Sequence, residues 1–399
     1  MITKNEVIFN KHLVEYKKVA EKPEESKTLF EKEWCAREKN SDNLLEQILF
    51  AQKKCGKHPF SIVIDISRLQ RGNGKLTSHD YFMYQLYDDD KYSKEDKAKF
   101  ISEKLHWAVT HTCCDMSWSA LSEDKWLSYR FLKSFDIKVP ETIAVIDKTF
   151  RSFGSTLKIS APMELRDFLE KNHRYPIFAK PNAGIGSCGA VIITGIDDTN
   201  VFLDQSDPLT FDNLFEELIG DRTYLLQSFI KNHTIISAFS QYLATIRAVN
   251  LVKSDSVVTP FYMLKIPSST NIADNLWRKG NIIADVDPEN GVIRRAIRGR
   301  GINTEELDNH PETGEKLVGL TLPYWNELKN VNHTCARLFA PVRYNSLDIA
   351  LTQDGPVVIE VNTGGSFELP QLASGSGFLT EEIYNFLESC GWKFRNRRQ

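Results

Sequence analysis

Apolar positions recur at helical spacing in the first part of the chain and settle into alternating helices and strands after about residue 120. Residues 1 to about 58 carry alternating Lys-rich and Glu-rich runs, interleaved with Leu44, Leu45, Ile48 and Leu49, and this predicts helices. Residues 60–65, Phe-Ser-Ile-Val-Ile-Asp, read as a short strand or a connecting run, and residues 71–75, with Gly72 and Gly74, as a loop. Two further helical patterns cover residues 77–88 and 94–110. Residues 1–120 are therefore expected to form a mostly helical N-terminal region.

Beyond it, Ser122 is placed to cap a helix with Leu127, Phe131 and Phe135 on one stripe, ending near Asp136. Residues 143–146 predict a strand, and Leu165, Phe168 and Leu169 a helix with Pro162 in its first turn. Strands at 176–179 and 190–194 flank a glycine-rich loop. Phe211, Leu214, Phe215 and Leu218 line a helix that Gly220 ends. Strands follow at 224–229, 243–251, 257–266, 282–286 and 292–297, the last two joined by a turn at 287–291. A helix with Leu328, Val331, Cys335 and Leu338 precedes strands at 346–351 and 357–361, and Ile383, Phe386, Leu387 and Cys390 mark a closing helix. The expected class is α/β (α+β).

Composition narrows the function. A chain of 399 residues has room for two domains, and 41% apolar with 26% charged residues is ordinary for a globular protein. The net charge of −3 argues against a dedicated nucleic-acid binder. No run approaches the ~20 apolar residues that span a bilayer, and the polar start lacks the apolar core of a signal peptide. The seven cysteines are scattered without a C-x-x-C pair, which suits reduced thiols in a cytoplasmic protein better than a zinc site.

Gly184-Ile185-Gly186-Ser187-Cys188-Gly189 fits G-x-G-x-x-G, a string that several unrelated folds share. Context removes most of them. A dinucleotide loop runs from strand into helix, whereas Ala190–Thr194 is β-branched, so this loop joins two strands. The H-R-D and D-F-G motifs of protein kinases are missing, and no Gly-Lys-Ser/Thr follows Gly189. A glycine-rich hairpin lets backbone N–H groups approach a polyphosphate, and Lys180 before it would add a point charge. A plain surface hairpin with an exposed lysine is the competing reading.

Asp348 and Glu360 lie on the two strands joined by Gln353-Asp354-Gly355, so they should face each other across the ladder. Glu360 and Asn362, two apart, share a face. Two carboxylates and an amide with positions left open suit magnesium. An exposed acidic face fits poorly with Glu360, whose neighbours Val357, Val358, Ile359 and Val361 are apolar, because a buried carboxylate needs a partner.

Lys125, Lys180, the glycine loop and the Asp348/Glu360/Asn362 set, in that order, make residues 121–370 resemble the ATP-grasp superfamily. The resemblance implies nucleotide held between two β-containing lobes, over residues 121–230 and 231–399. It makes Lys125 and Lys180 the nucleotide lysines and Gly184, Gly186, Ser187 and Gly189 the phosphate loop. Gln227, Ser228, Phe229 and Ile230 become the hinge against adenine, with Gln227 where many members carry Glu. Arg247 is similar to an arginine that reaches the phosphates or the acyl intermediate, a salt bridge within the sheet being the other reading. Arg68-Leu69, residues 74–77, Tyr81-Phe82, residues 86–88, residues 282–287 and the strand at 348–350 are similar to the sugar-transfer-associated group. Residues 364–367 depart from the pattern after the metal-binding Asn.

The activity implied by this resemblance is that of a magnesium–ATP-dependent carboxylate–amine ligase acting through an acyl phosphate, with ATP and Mg²⁺ as cofactors. Its substrates would be a small-molecule carboxylate and amine, sugar- or amino-acid-related, in cell-surface polysaccharide biosynthesis. A kinase that phosphorylates a hydroxyl and a non-catalytic nucleotide-binding module are the alternatives. Arg294-Arg295 and residues 277–280 are further candidates to receive an anionic substrate, a uronic acid or nucleotide sugar, if they are not merely a solvated basic edge.

Overall fold

Apolar runs after residue 140 sort into two seven-stranded sheets in this computed structural model, which describes residues 27–37, 43–171, 174–184 and 186–395. The expected helices before residue 27, and Ile185 of the glycine loop, lie outside the described residues. The first sheet comprises β1 (Thr142–Ile146), β2 (Leu157–Ile159), β3 (Ile177–Pro181), β4 (Val191–Ile196), β5 (Asn200–Leu203), β6 (Leu209–Thr210) and β7 (Tyr224–Ser228). Its order is β2-β1-β7-β3-β4-β5-β6, with only β1 and β2 parallel. The second comprises β8 (Thr245–Val252), β9 (Val257–Ile266), β10 (Ile282–Val286), β11 (Ile293–Arg298), β12 (Glu305–Glu306), β13 (Tyr344–Thr352) and β14 (Gly355–Thr363). It is antiparallel throughout, in the order β12-β11-β10-β9-β8-β13-β14.

The second sheet is covered on both faces, which is why its strands read as nearly unbroken apolar runs. Leu347, Ile349 and Val358 point to a core shared with the Trp325–Leu338 helix. On the other face Val249, Leu251, Phe261 and Met263 pack with Tyr81, Phe82, Tyr87 and Phe100 of the N-terminal region. The N-terminal helices thus share a core with the second sheet.

Two local expectations are overturned. Residues 60–65 are helical, inside Pro59–Arg71. Pro59 opens that helix, the His58 side chain accepts from the Phe60 N–H, and these start signals outweigh the β-branched run. Ser122 does not cap the next helix; it is buried with its hydroxyl 2.6 Å from that of Thr363. Asp124 caps Lys125–Lys133 instead, accepting from the Leu127 N–H at 2.9 Å. The buried stripe of that helix is accordingly Lys125, Ser128, Tyr129 and Leu132, while Leu127 and Phe135 are exposed.

A buried amide network pins the Trp325–Leu338 helix to the second sheet. Asn332 donates to Asn250 Oδ1 at 2.8 Å and to Thr259 Oγ1 at 3.0 Å, and accepts from Asn250 Nδ2 at 2.9 Å. Truncation strands partners that no water reaches. Asn332→Ala should lower unfolding stability by about 2–4 kcal/mol, measured by urea denaturation. A loss under about 0.5 kcal/mol, the scale of a neutral surface change, would show that the network does not hold the helix.

Candidate active site

Strand register assembles the centre of the site. Asp348 on β13 lies opposite Arg247 on β8 and opposite Glu360 on β14. Its neighbours Leu347 and Ile349 face the outer core, so alternation turns Asp348 to the cleft. There Arg247 grips it through Nε at 2.6 Å and Nη2 at 2.7 Å, and Lys265 Nζ approaches Oδ1 at 3.0 Å. Lys265 also meets Asp274 at 3.3 Å, and Asp274 takes the Thr245 hydroxyl. Burial would push the Asp348 carboxyl up, but Arg247 and Lys265 hold it well below the usual carboxylate range.

Glu360 has the partner its apolar setting demanded: Lys125 Nζ stands 2.9 Å from its Oε1. Burial would raise the carboxyl, and Lys125 prevails to lower it. Its Oε2 has no donor among the described residues. The register shifts between Asp348 and Ile349, and this bulge frees the Ile359 carbonyl to accept from the Tyr129 hydroxyl at 2.7 Å.

Tyr129 also receives Lys180, whose Nζ lies 2.8 Å from the phenol oxygen. Lys180 makes no ion pair among the described residues, and burial lowers it to about 8 against the pull of Glu360, Asp348 and Asp274. The cluster holds four cations, Lys125, Lys180, Arg247 and Lys265, against three carboxylates, Asp274, Asp348 and Glu360. It carries a net charge of +1 before any ligand arrives.

The glycine loop connects β3 to β4 with left-handed backbone at Gly186, Ser187 and Gly189. The second lobe reaches up to it. Trp277 Nε1 donates to the Gly186 carbonyl at 3.2 Å, and Asn275 donates to the Ser187 hydroxyl at 2.7 Å. Lys125 donates to the Gly184 carbonyl at 3.2 Å. At the end of β7, Gln227 is buried and donates to Thr142 Oγ1 at 3.2 Å, while the Ser228 hydroxyl donates to Glu141 at 3.0 Å.

One cavity of about 690 Å³ runs from the loop past the end of β7 and the acidic strands. Of the residues that sequence reasoning selected, it is lined by Lys125, Lys180, Gly184, Gly186, Ser187, Gln227 through Ile230, Arg247, Asp348, Glu360 and Asn362. Gly189 stands apart. Its N–H donates to Glu33 Oε2 at 2.7 Å, on the Leu29–Arg37 helix, and Phe30 packs where a Cβ of Gly189 would go. Arg294 and Arg295 are also away from the cavity: Arg294 pairs with Asp285 at 2.7 Å and Arg295 with Glu306 at 2.7 Å. Trp277 lines the cavity, whereas Arg278 is held by Glu33 at 2.9 Å.

Residues 110–386 match the family described as sugar-transfer associated ATP-grasp. The chain belongs to this family. Among solved structures the ATP-grasp family member is similar to the VanG D-Ala:D-Ser ligase of Enterococcus faecalis, at 15% identity and a TM-score of 0.40 over 68% of this chain. The match covers 64% of that ligase, less than two thirds of its length. D-alanine–D-alanine ligase of Bacillus anthracis gives 15% identity and a TM-score of 0.37 over 70% of this chain and 69% of its own. An N5-carboxyaminoimidazole synthase of Aspergillus clavatus gives 9% and 0.37, over 72% and 58%. Comparison with curated protein sequences finds no match. No helix among the described residues is long and apolar enough to cross a membrane.

Lys265, Asp274, Tyr129 and Glu33 were not foreseen. Lys265 carried the same signal as Glu360, a charge inside an apolar strand, and Tyr129 follows Lys125 by one helical turn. Glu33 carried none, since its contact spans 156 residues of sequence. The two acids should also respond differently to neutralisation. Asp348→Asn strips a charge from two buried cations and should cost about 3–5 kcal/mol of stability. Glu360→Gln, on a side chain 27% exposed, should cost less, about 1–2 kcal/mol, because it leaves the single cation Lys125 without its carboxylate while keeping a hydrogen-bond acceptor. Denaturant melts of the two variants decide it, and equal losses would refute the charge arrangement.

Proposed function

We propose that the cleft binds magnesium–ATP and phosphorylates a carboxylate, and that an amine then displaces phosphate from the acyl phosphate. The observation that carries this is the excess positive charge around Lys180, a buried cation without a carboxylate partner beside the paired acids of the second sheet. Polyphosphate entering there would discharge a cost that the protein meets with a single phenol oxygen and the rings of Tyr129 and Phe178. Lys125 and Lys180 would neutralise phosphates, the amides of Gly184, Gly186 and Ser187 would hold them, and Gln227 through Ile230 would border adenine. Gly189 would serve by fixing the loop rather than by its own N–H. Arg247, oriented by Asp348, would steady the acyl phosphate oxygens.

A divalent cation fits the acids present. Glu360 has a free oxygen and Asn362 lines the same wall, whereas both oxygens of Asp348 already accept from Arg247 and Lys265. Glu360 and Asn362 would hold magnesium, which supplies charge to the phosphates when bound, and Asp348 would join them only by yielding one of its basic partners. Phosphoryl transfer in such a site is positioning and electrostatics, so no Ser-His-Asp set is needed. The carboxylate and amine would be sugar- or amino-acid-related, a uronic acid or nucleotide sugar among the carboxylates, serving cell-surface polysaccharide synthesis from the cytoplasm.

Hydroxylamine in place of the amine should yield a hydroxamate and ADP. Carboxylate labelled with oxygen-18 should pass one label to inorganic phosphate. AMP with pyrophosphate would exclude the acyl phosphate, and a stable phosphorylated alcohol would establish the kinase chemistry instead. Lys180→Ala should weaken ATP binding at least about 10-fold, or 1.4 kcal/mol, and leave adenosine binding within about twofold. In the parent, ATP binding should weaken as pH rises through about 8, where Lys180 loses its proton, and the variant should lack that limb. Glu360→Gln should keep the fold and lose magnesium-dependent turnover.

A further inference from the structure

Beyond the acidic strands the cavity continues to an end that the nucleotide machinery does not use, bordered by Glu103, His106, Trp107, Arg300, Ser366 and Glu368. Its chemistry is mixed in sign. Glu103 Oε2 accepts from the Phe367 N–H at 2.7 Å, the Glu368 N–H at 3.0 Å and the Ser366 hydroxyl at 3.3 Å. These donors fix the carboxyl, and its Oε1 takes no donor among the described residues. Arg300 has one loose contact, Nη1 at 3.4 Å from Glu368 Oε1, with both side chains about a quarter exposed at 26% and 23%. The guanidinium thus keeps most of its donors for a ligand.

A ligand here must match an arginine and two carboxylates at once. A lone anion would be repelled by Glu103 and Glu368, and a lone cation would leave Arg300 unmatched. A zwitterion satisfies both. Its charges must also lie close together, because Arg300 and Glu103 each contact the one residue Glu368. We propose that this end of the cavity seats the attacking amine as an α-amino acid, with its carboxylate on Arg300 and its ammonium between Glu103 and Glu368. The assignment rests on the ligase reading for its chemistry, though not for its binding.

The same seat supplies the proton acceptor that amide formation needs. Burial and the Glu368 charge hold the Glu103 carboxyl up to about 7, above the ordinary range despite its three donors. Glu103 takes one proton from the ammonium. The freed nitrogen lone pair forms the C–N bond as the bond from the acyl carbon to the bridging phosphate oxygen breaks. The second N–H proton leaves with phosphate as hydrogen phosphate, so the products are amide, hydrogen phosphate and protonated Glu103.

The test compares glycine, L-alanine and D-alanine with methylamine and ethylamine, using the carboxylate that supports hydroxamate formation and following ADP release. At least one amino acid should exceed its decarboxylated counterpart in kcat/KM by about 10-fold or more, as a matched charge in a partly enclosed seat requires. Arg300→Met should raise KM for that amino acid about 10-fold and abolish the preference, with Arg300→Lys restoring part of it. Hydroxylamine, which has no carboxylate, should lose far less of its trapping rate in Arg300→Met than the amino acid loses of its kcat/KM. Glu103→Gln, which keeps an acceptor for the three donors, should lower kcat far more than it raises KM. Equal use of amines and amino acids, or a preference that survives Arg300→Met, would overturn the seat. If the parent forms no hydroxamate with any carboxylate, the ligase reading fails by itself. Thermal stabilisation by an amino acid, lost in Arg300→Met, then still supports the seat, and its absence in the parent rejects it.

Discussion

Burying Asp348 on β13, one strand in from the edge of the second sheet, is the constraint from which the site follows. An unpaired carboxylate in that position would be untenable, so β8 and β9 each bring a cation to it, Arg247 and Lys265. Lys265 then needs Asp274, and Glu360 in the next strand needs a cation of its own. The other bases on the strands of the second sheet, Arg294, Arg295 and Arg298 of β11, are paired elsewhere. Lys125 comes instead from the helix that leads into the first sheet, so satisfying one charge draws two lobes together.

The helix Lys125–Lys133 is therefore more than a connector. Its first turn holds Lys125 against Glu360 and against the Gly184 carbonyl, and its Trp126 N–H donates to Asn182 Oδ1 at 2.8 Å beside β3. One turn later Tyr129 links Lys180 of the first sheet to the Ile359 carbonyl of the second. That carbonyl is available because a bulge interrupts the ladder beside Asp348. An irregularity in one strand and a hydroxyl on one helix thereby set where Lys180 sits, and a lysine held by so little is poised for an anion.

The parts of this arrangement that sequence exposed were those where a charge contradicted its surroundings. Glu360 inside Val-Val-Ile and Val announces a partner, and the turn at 353–355 fixes its register with Asp348. Lys265 obeys the same rule, and applying the rule to bases as well as acids finds it. Residues 60–65 misled because β-branched composition is weak evidence beside a Pro start and a capping side chain. Gly189 misled for another reason. The loop motif predicts that its amide is free for phosphate, and only the fold can bring Glu33 to it. Glu103 is equally silent, because its donors come from residues 264 and 265 positions away.

Those silent residues share a location. The family match begins at residue 110, whereas Glu33, Glu103, His106 and Trp107 all precede it. The matched span holds Lys125, Lys180, Gln227 and the acidic strands that carry Asp348 and Glu360. The N-terminal residues instead grip the glycine loop from outside and wall the far end of the cavity. They are not a separate module, since Tyr81, Phe82 and Phe100 lie in one core with Val249, Leu251 and Met263. Changing the wall can alter what enters the far end while the buried charges around Asp348 stay satisfied. A fixed electrostatic centre with an adjustable wall lets the choice of ligand at the far end vary independently of the charges that hold the two sheets together.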